Sequence, residues 1–144
     1  MKKKNVLFLV HVEESFRKHF PDAMFPLRLI KACQAQKYDE VHILVSHVMD
    51  DEPIFELNGV TNSSQWIDWG WGYEPLSFDQ EEKEWCISSY AHEWTWIPPE
   101  LRNDAFQNCN IFVGGGCESE CLEDFVSILD YLNYDYEKIR GYIY

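Results

Sequence analysis

The sequence lacks any apolar run near the roughly 20 residues that a membrane-spanning helix requires. It also lacks internal repeats and low-complexity tracts, and at 46% hydrophobic residues it is too apolar for a disordered acidic tail. Basic residues are scarce, because 12 Lys and Arg stand against 25 Asp and Glu, and the formal net charge is -13. A surface this negative repels a nucleic acid backbone, so we expect no nucleic-acid partner. The lack of a long apolar run predicts no membrane partner.

The sequence also lacks the pattern of a secreted disulfide framework. Its apolar N-terminal run is short and continues into His11, Glu13 and Glu14 without a small-residue cleavage site, so we predict a first strand rather than a secretion signal. Cysteines are odd in number and scattered through strand-like and helical stretches. We therefore expect a soluble protein in a reducing cytoplasm. The five cysteines are Cys33, Cys86, Cys109, Cys117 and Cys121.

Strand-like and helical patterns alternate along the 144 residues. Residues 5–12 and 39–48 are apolar runs of strand length, and residues 25–36 between them have an apolar stripe at helical spacing. Further strands are predicted at 84–91, 109–116 and 138–144, and further helices at 98–106 and 119–133. This order predicts a single α/β domain over residues 1–144, with a three-layer, Rossmann-like, open and mostly parallel sheet of about five strands. A tryptophan-rich excursion at about 50–82 interrupts the alternation.

Such a sheet binds ligands beyond the carboxyl ends of its strands. Histidines and carboxylates follow several of the predicted strands, so we expect one pocket to contain His11, His92, Glu93 and Cys121. We predict that the tryptophan-rich excursion at about 50–82 covers this pocket. The residues placed at strand ends are His11, Glu13, Glu14, His47, Asp50, Asp51, His92, Glu93 and the segment 114–121.

The glycines Gly114, Gly115 and Gly116 have two interpretations. They match neither the dinucleotide-binding fingerprint nor the P-loop, and Glu118 and Glu120 oppose an anion at the following helix end. A tight turn with positive φ or close backbone contact explains them. A backbone contact with a ligand explains them as well.

Cys121 is the candidate nucleophile. With Ser119 as the N-cap, Cys121 lies in the first helical turn, where the helix dipole favours a thiolate. His92 is then the base, and Glu93 or Glu13 would orient it. A reactive Cys121 should label with iodoacetamide faster than the other cysteines. The alternative is a buried structural cysteine.

The histidines and carboxylates show no spacing that is diagnostic of a metal site, so no metal and no cofactor are predicted. The six tryptophans either cover the core or stack on a planar ligand. If the tryptophans stack on a ligand, the candidate residues are Trp69, Trp71 and Trp94. Glu13 and the three glycines are further candidates for contact with that ligand.

Residues 8–16 and 113–125 resemble the isochorismatase-like cysteine hydrolases, in which a nucleophile lies six residues after a strand-end glycine, as Cys121 follows Gly115. His11 stands where that family carries its catalytic aspartate. Residues 92–101, 114–132 and 139–144 resemble small uncharacterised proteins of tailed bacteriophages. The first resemblance implies a cysteine hydrolase, and the second implies a phage origin and a location in the host cytoplasm.

Three functions are compatible with these patterns. The leading hypothesis is a domain that binds a small planar or nucleotide-like metabolite at the carboxyl ends of the strands. The second is a cysteine-dependent hydrolase using Cys121 and His92. The third is an acidic antagonist that binds a host protein through its surface.

Overall fold

The computed structural model describes residues 3–12, 14–36, 38–45, 63–69 and 78–144. Within these ranges, two short 3-10 helices, Glu14–His19 and Pro99–Leu101, accompany the regular elements. The strands are β1 (Asn5–Val10), β2 (Glu40–Val45), β3 (Ser63–Asp68), β4 (Cys86–Ser88), β5 (Trp94–Trp96), β6 (Asn110–Gly115) and β7 (Tyr136–Ile143), and the helices are α1 (Phe25–Gln36), α2 (Gln80–Lys83) and α3 (Cys121–Tyr131).

The main sheet has the strand order β3-β2-β1-β6-β7, and every neighbouring pair is parallel. Strands β4 and β5 form a separate two-stranded antiparallel sheet. The chain runs from β1 through β2 to β3 on one side, then crosses to β6 and β7 on the other. The strand order therefore reverses between β1 and β6, and the predicted α/β class with a parallel sheet is confirmed.

Strand β1 is buried on both faces, as its continuous apolar run predicts. Val6, Phe8 and Val10 belong to a core that includes α3 residues, whereas Leu7 and Leu9 belong to a second core that includes α1 residues. Each large buried side chain contributes about 2 kcal/mol of transfer free energy, so β1 anchors both layers. Helices thus cover the two faces of the sheet.

The amphipathic patterns of the helices explain which sides they bury. Helix α1 buries Phe25, Leu29 and Cys33, which are spaced by four residues and so lie on one face. Helix α3 is buried along most of its length, because it packs against the face of the sheet that carries Val6, Phe8 and Val10, and Ile87 of β4 belongs to the same core. Among the helices of the described ranges, none is long and apolar enough to cross a membrane.

Three segments differ from their predictions. Residues 84–91 were predicted as a strand of the main sheet, but only Cys86–Ser88 is a strand and it pairs with β5. Residues 98–106 were predicted as a helix, but the 3-10 turn at Pro99–Leu101 is followed by left-handed backbone at Asn103 and Asp104, which ends it. Strand β3 falls inside the predicted excursion, because pairing with β2 at the sheet edge outweighs its weak local pattern.

Candidate functional site

His11 follows β1 at the point where the strand order reverses, as predicted. Its ring is fully buried and stacks on Phe16 at 5.0 Å and on Trp69 at 5.5 Å between ring centroids. The Trp69 indole N–H donates to the carbonyl oxygen of Trp96 at 3.0 Å. Trp69 is therefore a core residue that covers His11, and the prediction that it stacks on a ligand is not supported by its burial.

The glycines after β6 pack against the chain itself. Gly115 has φ 90°, and a Cβ there would lie 2.2 Å from the carbonyl oxygen of Val10. A Cβ on Gly114 would lie 2.5 Å from Cβ of Tyr142, and a Cβ on Gly116 would lie 2.7 Å from the carbonyl oxygen of Tyr144. The interpretation as a turn with close backbone contact is confirmed.

Tyr144 occupies the space next to these glycines. Its N–H donates to the carbonyl oxygen of Gly115 at 3.0 Å, and its carbonyl oxygen accepts from the N–H of Glu118 at 2.7 Å. Its hydroxyl donates to the carbonyl oxygen of His11. Protein groups therefore make the contacts that were predicted for a ligand at Gly114, Gly115 and Gly116.

Cys121 is the first residue of α3, and its environment disfavours a nucleophile. The prediction that Ser119 is the N-cap is wrong. The N-cap is Glu120, whose side chain makes no capping hydrogen bond. Cys121 is 3% exposed within the core. Burial raises the pKa of its thiol to about 12, and the negative charge of Asp124 adds to the shift. A thiolate is therefore rare at neutral pH, and no hydrogen bond between Cys121 and His92 is found in the described chain.

We expect iodoacetamide to label Cys86, Cys109 and Cys117 before Cys121 and Cys33. The first three are half-buried, whereas the last two are buried and burial raises the pKa of each to about 12. Mass spectrometry of peptides after timed alkylation at pH 7.5 measures the order, and alkylation in urea should label all five at similar rates. Fast labelling of Cys121 in the folded protein would restore it as a nucleophile.

His92 pairs with Asp124 rather than with Cys121. It lies in the turn between β4 and β5, and its Nδ1 hydrogen-bonds to Oδ2 of Asp124. The other carboxylate oxygen of Asp124 accepts from the backbone N–H groups of Ala91 at 2.9 Å and His92 at 3.1 Å. Glu93 is exposed in the same turn, where its carbonyl oxygen accepts from the N–H of Ser89 at 3.4 Å. The predicted role of Glu93 in orienting His92 belongs to Asp124.

Asp124 was not predicted as a site residue, although the sequence has a signal for it. It lies on the apolar side of α3 and is fully buried, between the buried residues Leu122 and Phe125. A carboxylate on the apolar face of a helix requires hydrogen-bond donors from another element. The sequence does not show which element supplies them, because His92 is 32 residues away along the chain.

The β4–β5 hairpin and α3 enclose a groove of about 550 Å³. Its walls include aromatic side chains from both elements: Tyr90 and Tyr131 are 61% and 58% exposed, and Trp94 is half-buried. An adjoining cavity of about 370 Å³ shares Tyr90 and continues towards the carboxyl end of β6. The groove is lined by Cys86, Ile87, Ser88, Tyr90, Trp94, Ser127, Asp130 and Tyr131, and the adjoining cavity by Tyr90, Ala91, Glu118, Ser119 and Glu123.

Asp130 ties the hairpin to α3 at a second point. Its Oδ2 accepts from the Tyr90 hydroxyl at 2.8 Å. This hydrogen bond raises the pKa of Tyr90. Burial and a hydrogen bond to Asp130 raise the pKa of Tyr136 to about 12. Both phenols therefore stay neutral at physiological pH, and they donate to the Asp130 carboxylate.

Two other tryptophans support the hairpin. The Arg102 guanidinium lies over the Trp85 ring at 4.6 Å and over the Trp96 ring at 5.4 Å. Glu82 accepts from Arg102 and, at 2.8 Å, from the Trp96 indole N–H. These contacts lower the pKa of Glu82, chiefly through the hydrogen bond from Arg102. Both tryptophans thus pack within the protein against Arg102 and Glu82, in line with the structural interpretation.

A third cavity, of about 510 Å³, lies at the amino ends of β6 and β7. Its lining is rich in amides, including Gln107, Asn108, Asn110 and Asn133. The strand-end rule does not favour this edge of a parallel sheet. In the ranges that the structure describes, no group of three His, Cys, Asp or Glu side chains could hold a metal ion.

Several predicted residues lie outside the described residues. They are Glu13, His47, Asp50, Asp51 and Trp71, so their predicted roles stay predictions. Of the remaining ligand-binding candidates, Trp94 lines the groove. His11, Cys121 and Gly114–Gly116 are packed into the protein, and Glu93 is exposed beside the His92–Asp124 pair.

No family model, curated protein or solved structure matches the chain. The resemblances to tailed-phage proteins and to isochorismatase-like hydrolases therefore stay predictions from short motifs. A functional assignment depends on the geometry of the groove between the hairpin and α3.

Proposed function

We propose that the protein binds a small planar ligand in the groove between the β4–β5 hairpin and α3. The observation that carries this proposal is the convergence of Tyr90, Trp94 and Tyr131 on one cavity of about 550 Å³. Pockets for metabolites have volumes of roughly 300 to 1,000 Å³ and are walled mainly by apolar and aromatic side chains. The groove has this size and this lining.

The exposure of the tyrosines supports a binding role. Tyr90 and Tyr131 keep most of their surface in solvent, although large aromatic side chains gain free energy when covered. A planar ring that stacks on them would cover that surface, and stacking of a base on an aromatic side chain is worth about 1–3 kcal/mol. Ser88 and Ser127 supply hydroxyl groups in the same groove, which would orient a ligand.

The hairpin turn is held in place before any ligand arrives. Asp124 accepts from two backbone N–H groups of the turn, and Asp130 accepts from the Tyr90 hydroxyl. A binding wall that is already ordered loses less conformational entropy on binding. This preorganisation favours a recognition site over an incidental surface groove.

The groove between the β4–β5 hairpin and α3 lies beside the cleft that the sequence predicts at the carboxyl ends of the strands. Glu118 and Ser119 line the adjoining cavity and follow β6, so the groove extends towards the carboxyl ends of a Rossmann-like or isochorismatase-like sheet. A phage origin and the host cytoplasm remain part of the proposal through the sequence resemblance. The hydrolase alternative is set aside because Cys121 is buried and its pKa is raised.

Thermal shift with a panel of planar metabolites tests the proposal. A ligand at a hundredfold excess over its Kd should add about 2.7 kcal/mol of stability, which corresponds to several degrees in Tm. Tyr131→Ala should reduce the shift because Tyr131 lines the groove, and its high exposure keeps the cost in stability small. Leu27→Ala is the matched control, since Leu27 is also exposed but lies on α1.

The acidic antagonist is the competing outcome. It would show no shift with any planar compound, and pull-down from a host lysate would recover a basic protein whose association weakens as salt rises. That pair of results would overturn the proposed ligand-binding function.

A further inference from the structure

The groove and its adjoining cavity carry charge of one sign. Among their described lining residues, Asp130, Glu118 and Glu123 are acidic and none is Lys or Arg. The whole chain adds to this field, because its formal net charge is -13. An anionic ligand would be repelled on approach, and a cationic ligand would be attracted.

Asp130 of the groove and Glu123 of the adjoining cavity differ in how their negative charges are compensated. Glu123 forms an ion pair with Lys138 at 2.7 Å between Nζ and Oε1. Asp130 accepts instead from two neutral hydroxyls, that of Tyr90 at 2.8 Å and that of Tyr136. A neutral donor leaves the full negative charge on the carboxylate, so Asp130 can attract a cation in the groove.

The aromatic side chains that line the groove also favour a cation. The face of a tyrosine or tryptophan ring carries partial negative charge, which attracts an ammonium or another organic cation within about 6 Å of the ring centre. Tyr90, Trp94 and Tyr131 line the same cavity as Asp130. Ring faces and an uncompensated carboxylate together recognise a flat group that carries positive charge.

We propose that the ligand of this groove is a planar organic cation, of the class in which a heteroaromatic ring carries a quaternary or protonated nitrogen. The ring lies against the aromatic walls, and the positive charge lies near Asp130. This inference rests on the proposed function, since it specifies the ligand class of the same groove.

Three probes of one ring size separate charge from shape. 1-Methylnicotinamide, which is methylated on the ring nitrogen, is cationic, nicotinamide is neutral and nicotinate is anionic. Titration of the 15N-labelled protein, followed through the Trp94 indole and the Tyr90 and Tyr131 backbone amides, measures each Kd. We expect the cation to bind about tenfold more tightly than the neutral ring, which is the size of a partly desolvated cation–π contact, and the anion to bind most weakly.

Asp130→Asn tests the source of this preference. The amide oxygen can still accept from the Tyr90 hydroxyl, and the amide N–H can donate to the Tyr136 hydroxyl, so the groove should keep its shape while it loses the charge. We expect the cation to lose about fivefold in affinity, within the range of an exposed charge contact, and the neutral ring to be unaffected. Asp135→Asn is the matched control, because it removes one exposed negative charge outside the groove lining.

Equal affinity of the cationic and neutral rings for the groove would overturn the charge preference and leave the proposed function standing. An equal loss of cation affinity in Asp130→Asn and Asp135→Asn would overturn the role of Asp130. If none of the three rings perturbs the groove and no planar compound stabilises the protein, both the ligand class and the proposed function are wrong.

Discussion

Replacing Gly115 with alanine should lower the free energy of unfolding by about 4 kcal/mol, the sum of a left-handed backbone penalty of 1–2 kcal/mol and an overpacking cost of 1–3 kcal/mol. The added Cβ would lie 2.2 Å from the carbonyl oxygen of Val10 and 2.5 Å from its nitrogen. Because these are backbone atoms of the central strand, β1 and β6 would have to separate. A loss of this size is a large part of the 5–15 kcal/mol that stabilises a typical domain.

Urea denaturation followed by circular dichroism measures the loss, and Tm should fall by roughly 10 °C. Gly141→Ala is the matched control, because a Cβ at Gly141 has no atom within 4 Å and that residue also lies in a strand. The control should keep or slightly raise the stability, since alanine restricts the unfolded chain. Equal stability of the two variants would contradict the tight contact between the strand-end glycine and β1.

Replacing Asp124 with alanine should cost about 3 kcal/mol, because the hydrogen-bond donors that it satisfies include two backbone N–H groups. The carboxylate is fully buried and accepts from Ala91, from the backbone of His92 and from the His92 ring. Its loss leaves these donors without their acceptor and releases the hairpin turn. Because that turn carries Tyr90, we also expect weaker binding of planar ligands in the groove.

Chemical denaturation measures the change in stability, and the titration with 1-methylnicotinamide measures the change in binding. For stability, Glu123→Ala is the control on the same helix, since its ion pair with Lys138 is partly exposed and worth at most about 1 kcal/mol. His92→Ala should cost less than Asp124→Ala, because the carboxylate keeps its two backbone donors. A larger effect of His92→Ala would contradict the assignment of Asp124 as the anchor of the turn.

Gly115 and Asp124 stabilise different parts of the protein, so their substitutions have different consequences for function. Gly115 holds the sheet together at the point where the strand order reverses, and its side of the protein is filled by Tyr142 and Tyr144. Asp124 holds the hairpin over α3, where solvent reaches the aromatic side chains. A variant at Gly115 should therefore lose stability and binding together. The variant Asp130→Asn should weaken cation binding alone.

Local sequence patterns were sufficient for the α/β class and for the central elements. The apolar run of β1 is buried on both faces, and α1 and α3 follow their amphipathic patterns. The glycine turn after β6 was also predictable, since positive φ and close backbone contact are local requirements that glycine meets. These features depend on burial and backbone conformation, which residue spacing encodes directly.

Which side chains contact one another depended on the tertiary structure. Cys121 resembles a reactive cysteine in sequence, yet packing against the core raises its pKa, and His92 turns to Asp124 instead. The groove forms because the β4–β5 hairpin pairs with itself and lies against α3, rather than joining the main sheet. Spacing along the chain determines which face a residue occupies, but contacts between residues more than 30 positions apart, such as His92 with Asp124, depend on how the layers pack.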